Sequence, residues 1–319
     1  MFRGLVVALA VAVCPSPAIA QESYPNRNVT IVVPLAAGSG TDIMARVLAA
    51  SLSNRLGKAF TVENKPGANG IPATEHVARQ PNDGYTLMLG GNTTHSANVH
   101  LFKTIKYDPI RDFTPVSRLA TAGAVLVVAP NSNIKSMEDL IREAKANPGK
   151  LTYGAPNSGA QIASETIKKA MSLDITRVPY RATPQAMTDV IAGTITMTFL
   201  DVAAALANVA NGQLRAIAIT SIKRSELLPS VPTMNELGFK DFNLTYWNGL
   251  FGPAGLPRNV VSLLDRTAGE IMTETSMQDA LRALGLDPSY MPAEQMPAYV
   301  QIEIDRWGNF IRDAAIEPN

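Results

Sequence analysis

Apolar, β-rich runs alternate with helix-patterned stretches almost throughout the chain, and this alternation limits its possible folds more than any other feature. The runs at 28–34, 60–63, 85–89, 124–129, 151–153, 175–179, 194–200 and 214–220 read as strands. They are nearly continuous in apolar character, as expected where helices cover both faces of a sheet. Between them, Ile43, Val47, Leu48, Leu52 and Leu56 recur at helical spacing and stop at Gly57. Met137, Leu140, Ile141 and Ala144 do the same before the "NPGK" breaker at 147–150. Segments 160–170, 184–192 and 202–209 follow suit, and the chain from Pro257 onward is helical with Pro and Gly punctuation. Strand alternating with helix predicts an α/β architecture with mostly parallel sheets.

Two breaks, at 118–123 and at 222–232 with its "KRSELLPSVP" loop, are places for the chain to cross between lobes. They predict a middle lobe, 121–224, inserted into an outer lobe made of 21–120 and 225–319. A cleft between two α/β lobes is a common small-ligand site.

Residues 1–20, "MFRGLVVALAVAVCPSPAIA", do not belong to that fold. Arg3 supplies a basic start, an apolar stretch follows, and Ala18-Ile19-Ala20 precedes Gln21. That is the pattern of a secretory signal peptide cleaved after Ala20, and it predicts an exported, periplasmic protein. The apolar stretch is too short for a membrane anchor. Lipidation at Cys14 is the alternative, but Val13 stands where a small residue is wanted. Cleavage leaves 299 of the 319 residues, without the chain's one cysteine. Arg3 is the leader's only charged residue, so 28 basic and 27 acidic side chains become 27 of each. With no basic run, nothing suggests nucleic acid or an anionic membrane surface.

The first strand runs into "VVPLAAGSGTDIMAR" and a helix. A Walker loop needs a lysine after Gly40, and none is there. A dinucleotide fold would place a third glycine where Ile43 stands, and Glu63 at the end of the next strand is weak support for it. A helix N-terminus remains: Ser39 caps, and Asp42 three residues on completes capping-box spacing. Orphan N–H groups and the positive dipole end make such a turn a ready carboxylate site. The stretch "LTYGAPNSGAQIASE" repeats the arrangement, with Ser158-Gly159-Ala160-Gln161 at the same spacing. One turn per lobe predicts a clamp on an anion between opposed helix N-termini. A third loop, "GGNTTHSAN", offers Asn92, Thr93, Thr94 and His95 at the end of a strand, and Asp201 ends another. Capping the next helix is the default role for Asp201. Facing the cleft, it would accept hydrogen bonds from a ligand or water.

These segments resemble the Bug-type, TctC-like receptors of tripartite tricarboxylate transporters. The resemblance covers essentially the whole mature chain, including "VENKPGANG", "YDPIRDFTPVS", "VPYRATPQAMTDVIAGTITMTFLD", "LRAIAITSIKRSELLPSVPTMNELG" and "WNGLFGPAGLP". It implies a two-lobed type II periplasmic-binding fold, closing over a small organic acid for delivery to inner-membrane permease subunits. By position it implies ligand contacts from Ala37, Gly38, Ser39, Gly40, Thr41 and Asp42, and from Asn157, Ser158, Gly159, Ala160 and Gln161. Thr93, Thr94, His95 and Asp201 are the expected readers of the rest of the ligand. A monomer without cofactor is expected. The chain departs from the family at Gly38-Ser39, where paired glycines are common, and in its shorter second loop.

The three histidines, His76, His95 and His100, show neither paired metal-ligand spacing nor a nucleophile elbow. Catalysis would need His95, Asp42 and Asp201 to converge, so binding is the expected function. Trp247 either stacks on an aromatic ligand or packs, and Arg181 in "VPYRAT" would contact a carboxylate if it pointed into the cleft. A sensory receptor would need the same cleft as a transport receptor. Monocarboxylic, dicarboxylic, tricarboxylic, aromatic and amino acids all fit this reading.

Overall fold

The computed structural model describes residues 24–318 apart from 181 and 241. The expected leader and Arg181 therefore lie outside the described residues. The chain opens with β1 (Val29–Val33), α1 (Gly40–Leu56), β2 (Phe60–Asn64), α2 (Ile71–Ala78) and β3 (Thr86–Gly91). A π-helical turn, Thr93–Ala97, then leads into the short α3 (Asn98–Leu101) and β4 (Phe113–Ala122). The middle section is β5 (Ala124–Val128), α4 (Met137–Ala146), β6 (Thr152–Ala155), α5 (Ser158–Met171), β7 (Thr176–Pro179), α6 (Thr183–Ile191), β8 (Met197–Asp201), α7 (Val202–Ala210) and β9 (Arg215–Ile219). The last section is β10 (Tyr246–Pro253), α8 (Arg258–Met272), α9 (Thr275–Ala283), β11 (Asp287–Pro292) and α10 (Met296–Asp313). Among the described residues no helix is long and apolar enough to cross a membrane.

Two sheets result, ordered β11-β4-β10-β3-β1-β2 and β7-β6-β8-β5-β9. The fold is the expected two-lobed α/β one, and the sheets are mixed rather than mostly parallel. The β1–β2, β1–β3, β6–β7 and β6–β8 ladders are parallel, while β10 runs antiparallel to β3 and β4 and β5 antiparallel to β8 and β9. The reversals come at the strands that carry the chain between lobes. The interior strand β5, "AVLVV", is buried at every residue, which explains its unbroken apolar run.

The two crossings lie side by side. Ala122 ends β4 in the first sheet, Gly123 intervenes, and Ala124 opens β5 in the second. The second sheet's last strand, β9, ends at Ile219, and the chain re-enters the first sheet at Tyr246 in β10. Ile219 bridges Thr233, and Met234, Phe239, Phe242 and Leu244 pack in the core around β5 and β6. Tyr246 then pairs with Ala122. Thr220 joins the crossings: its Oγ1 accepts from Ala124 N at 2.8 Å and donates to Leu244 O at 2.9 Å. Helix α10 spans both lobes, with Met296 and Val300 beside Trp247 in one core and Trp307 and Ile311 in the other.

Candidate ligand cleft

The loop after β1 turns at Gly38, whose φ of +83° lies in the left-handed region that glycine adopts without strain. Ser39 is extended, and its Oγ accepts from Asp42 N at 3.2 Å, the expected cap. The Asp42 carboxylate does not face the ligand side. It is buried and accepts from Gly38 N at 2.8 Å, Asn64 Nδ2 at 2.9 Å and Arg46 Nε at 3.1 Å. The Arg46 bond first, with the Gly38 and Asn64 bonds behind it, holds the Asp42 pKa down at about 2 against desolvation. Gly40 and Thr41, first in the helix, line the cleft. Their N–H groups belong to the turn that no intrahelical carbonyl can satisfy.

Across the cleft, β6 ends at Ala155 and α5 begins three residues later, at Ser158. Here the cap is Asn157, not Ser158: extended at φ −153° and ψ 171°, it accepts from Ala160 N at 2.9 Å. Ser158 and Gly159 become the first helical residues and line the cleft, while Ala160 is buried behind them. Gly159 is there because Tyr246 leaves no room. A Cβ on it would strike the Tyr246 hydroxyl.

The cleft between these helix starts has a volume of about 720 Å³. Leu35, Ile43, Leu284 and Leu286 give it an apolar side, and Asp201 is the one charged side chain among its described lining residues. Asp201 occupies the cap position of α7 at φ −59° and ψ 142° but makes no capping bond, which corrects the default reading. Water reaches the carboxylate through the cleft mouth, yet the surrounding protein desolvates it enough to raise its pKa above the ordinary carboxylate range. The arrangement can hold an anion by dipoles and neutral donors.

A solved structure of an R. palustris protein with adipate superposes at a TM-score of 0.84, with 32% identity over 93% of this chain and 100% of that one. MatC from Rhodopseudomonas palustris with bound malate superposes at 0.77, with 28% identity over 90% and 100% of the two chains. Protein BugT of Bordetella pertussis is 32% identical over 97% of this chain and 95% of its own length. The family model described as "Tripartite tricarboxylate transporter family receptor" matches residues 44–316. The chain belongs to that receptor family. Its function is therefore that of a substrate-binding receptor, not an enzyme.

The receptor's structure brings most of the expected site residues together and moves some away. Gly38, Ser39, Gly40, Thr41, Thr93, Thr94, Asn157, Ser158, Gly159 and Asp201 all line the cleft. Ala37 and the buried Ala160 and Asp42 do not, and Gln161 lines a smaller cavity of about 410 Å³ on the other side of the Pro156–Ser158 wall. His95 is the clearest correction. It is fully buried, stacks on Phe251 at 3.9 Å between ring centroids, and has Nδ1 2.9 Å from Thr94 Oγ1. Desolvation pulls its pKa down to about 3, so it is a neutral core group.

Trp247 packs, as one of its two readings held: it is buried against Phe251 and Tyr299. Its neighbour Tyr246 reaches the cleft instead, a residue that sequence reasoning missed. The signal was available in strand periodicity, because adjacent residues of a strand face opposite sides.

Proposed function

We propose that this chain is a periplasmic receptor that closes its two lobes over a small organic carboxylate and delivers it to an inner-membrane permease. The observation that carries the reading is the meeting of two helix N-termini, those of α1 and α5, in one cleft, each on a different lobe. Each such terminus contributes about 0.3–1 kcal/mol to holding an anion, and up to about 2 when partly buried. A ligand that touches both termini favours the closed state by its differential affinity for it. The adjacent crossings at Gly123 and Thr245 serve as the hinge, and 1–20 as the export signal. The related structures with adipate and malate support a carboxylate as the ligand class.

A thermal-shift screen of organic acids, adipate and malate among them, tests this. A ligand at a hundred times its Kd adds about 2.7 kcal/mol of stability, which raises Tm by about 5 °C in a chain of this size. A panel in which neutral amides shift Tm and no acid does would overturn the reading.

A further inference from the structure

We propose that Asp201, with Tyr246 beside it, selects acids that carry a hydrogen-bond donor, a hydroxyl or an ammonium, on the carbon next to the carboxylate. The inference rests on the reading of the cleft as an organic-acid site and narrows it to a substrate class.

The register of the second sheet puts the parts together. Strand β6 pairs in parallel with β8 at Tyr153↔Met197 and Gly154↔Thr198. Asp201 ends β8, the neighbour of β6, and lines the same cleft as Asn157, the cap of α5. Tyr246 comes in from the crossing strand. Its hydroxyl lies over the first turn of α5, where it excludes any side chain at Gly159, and its ring stacks on Trp307 at 5.9 Å between centroids. Burial first, and then the charge of Asp201, raise the Tyr246 pKa, so the phenol stays protonated and the two groups sense each other. Neither the Asp201 carboxylate nor the Tyr246 hydroxyl has a hydrogen-bond partner among the described residues.

A carboxylate at the start of α5 accepts from the Ser158 and Gly159 amides and from the Tyr246 hydroxyl. Its α-carbon then faces Asp201. A bare methylene there leaves a second anion beside the first with nothing to donate to it, and like charges at close range disfavour both being ionised. An α-hydroxyl or α-ammonium donates to Asp201 and separates the two charges. A site built to pair a ligand's donor discriminates strongly against the analogue lacking it.

The test is calorimetric titration of the receptor and of Asp201→Asn with matched probes: succinate, malate and aspartate, and adipate with its 2-hydroxy and 2-amino derivatives. We expect at least one substituted acid to bind tenfold or more tightly than its parent. In Asp201→Asn that preference should collapse, and the parent should gain affinity as the Asn amide donates to it, a gain that misfolding cannot mimic. Parents binding within threefold of their derivatives, or a preference that survives in Asp201→Asn, would overturn the assignment. Binding of none of the six overturns this assignment alone, whereas the organic-acid reading fails only if neutral amides shift Tm and no acid of the wider screen does.

Discussion

Arg46 stands one helical turn beyond Asp42 and closes onto it, with Nη2 3.0 Å from Oδ1 and Nε 3.1 Å from Oδ2. A carboxylate in the first turn of α1 would otherwise repel the anion that the helix start is placed to attract. Arg46 cancels that charge from the side away from the cleft. The loop keeps the fold benefit of Asp42, whose carboxylate fixes Gly38 N, and loses its electrostatic penalty.

Replacing Arg46 with Ala should therefore weaken carboxylate binding about fivefold, roughly 1 kcal/mol, with little change in the unliganded fold. The pH profile gives a second readout. Asp42 is held near 2 in the folded state, below its ordinary 3.8, so its contribution to stability is complete above about pH 4 and is lost as pH falls through 2. Urea unfolding between pH 2 and 5 should show a smaller acid loss in Arg46→Ala, because its Asp42 titrates nearer the ordinary value.

His95 titrates in the opposite sense from a histidine that gains an ionic partner. Its folded pKa of about 3 lies below the ordinary histidine value of 6.5, so between those values the unfolded chain binds the extra proton and stability falls as pH drops. His95→Gln should be less stable at pH 7, through lost packing on Phe251. It should also show a flatter stability profile from pH 6.5 downward. Denaturant midpoints at pH 4.5 and pH 7 measure both effects.

Gly285, at φ +70°, follows α9 and brings the first lobe against the second. A Cβ there would strike the backbone N of Ala203 at the start of α7. Gly285→Ala should hold the lobes apart, giving a larger radius of gyration in X-ray scattering with a saturating acid and an affinity reduced several-fold. The nearby Arg282–Glu226 pair, 3.1 Å long and well exposed, should matter far less, at most about 1 kcal/mol.

Proline can delete a single helix-start amide without breaking the helix, because the first helical position tolerates it. The residues before Gly40 and Ser158, Ser39 and Asn157, are already extended, as a following proline requires. A Cβ at Gly40 meets nothing within 4 Å. Gly40→Pro and Ser158→Pro should each raise the Kd of the bound acid about five- to thirtyfold, roughly 1–2 kcal/mol, while Tm without ligand stays within a few degrees.

Local signals were legible in the sequence. Strand β5 announces itself because both its faces are covered, and the β1–α1 turn because glycine, cap and helix follow one another directly. What depended on distant partners was not. Strand β10 carries Asn248 and Gly249, with a register shift between them, and β11 is an edge strand holding Pro288 and Pro292, so neither shows a strand-like pattern. Strand β4 is similarly masked by Pro115. The segment 222–232 looks like a linker, and contacts with residues distant in sequence tie it to β5 and β9: Leu228 and Val231 pack in the core with Val125 and Val127, and Ile219 bridges Thr233. At the site, Asn157 and Ser158 are both able to cap, and the backbone angles alone decide between them. His95 turned into the core and Tyr246 reached the cleft because a side chain's direction is set by the backbone around it, not by residue type.

The central claim is that one acid bridges two helix starts on opposite lobes. Nitrogen–proton correlation spectra recorded while an acid found by the screen is titrated in read this at the groups concerned. The account predicts that the backbone amide protons of Gly40, Thr41, Ser158 and Gly159 all move downfield and saturate together. Saturating binding that leaves either pair unmoved would contradict it.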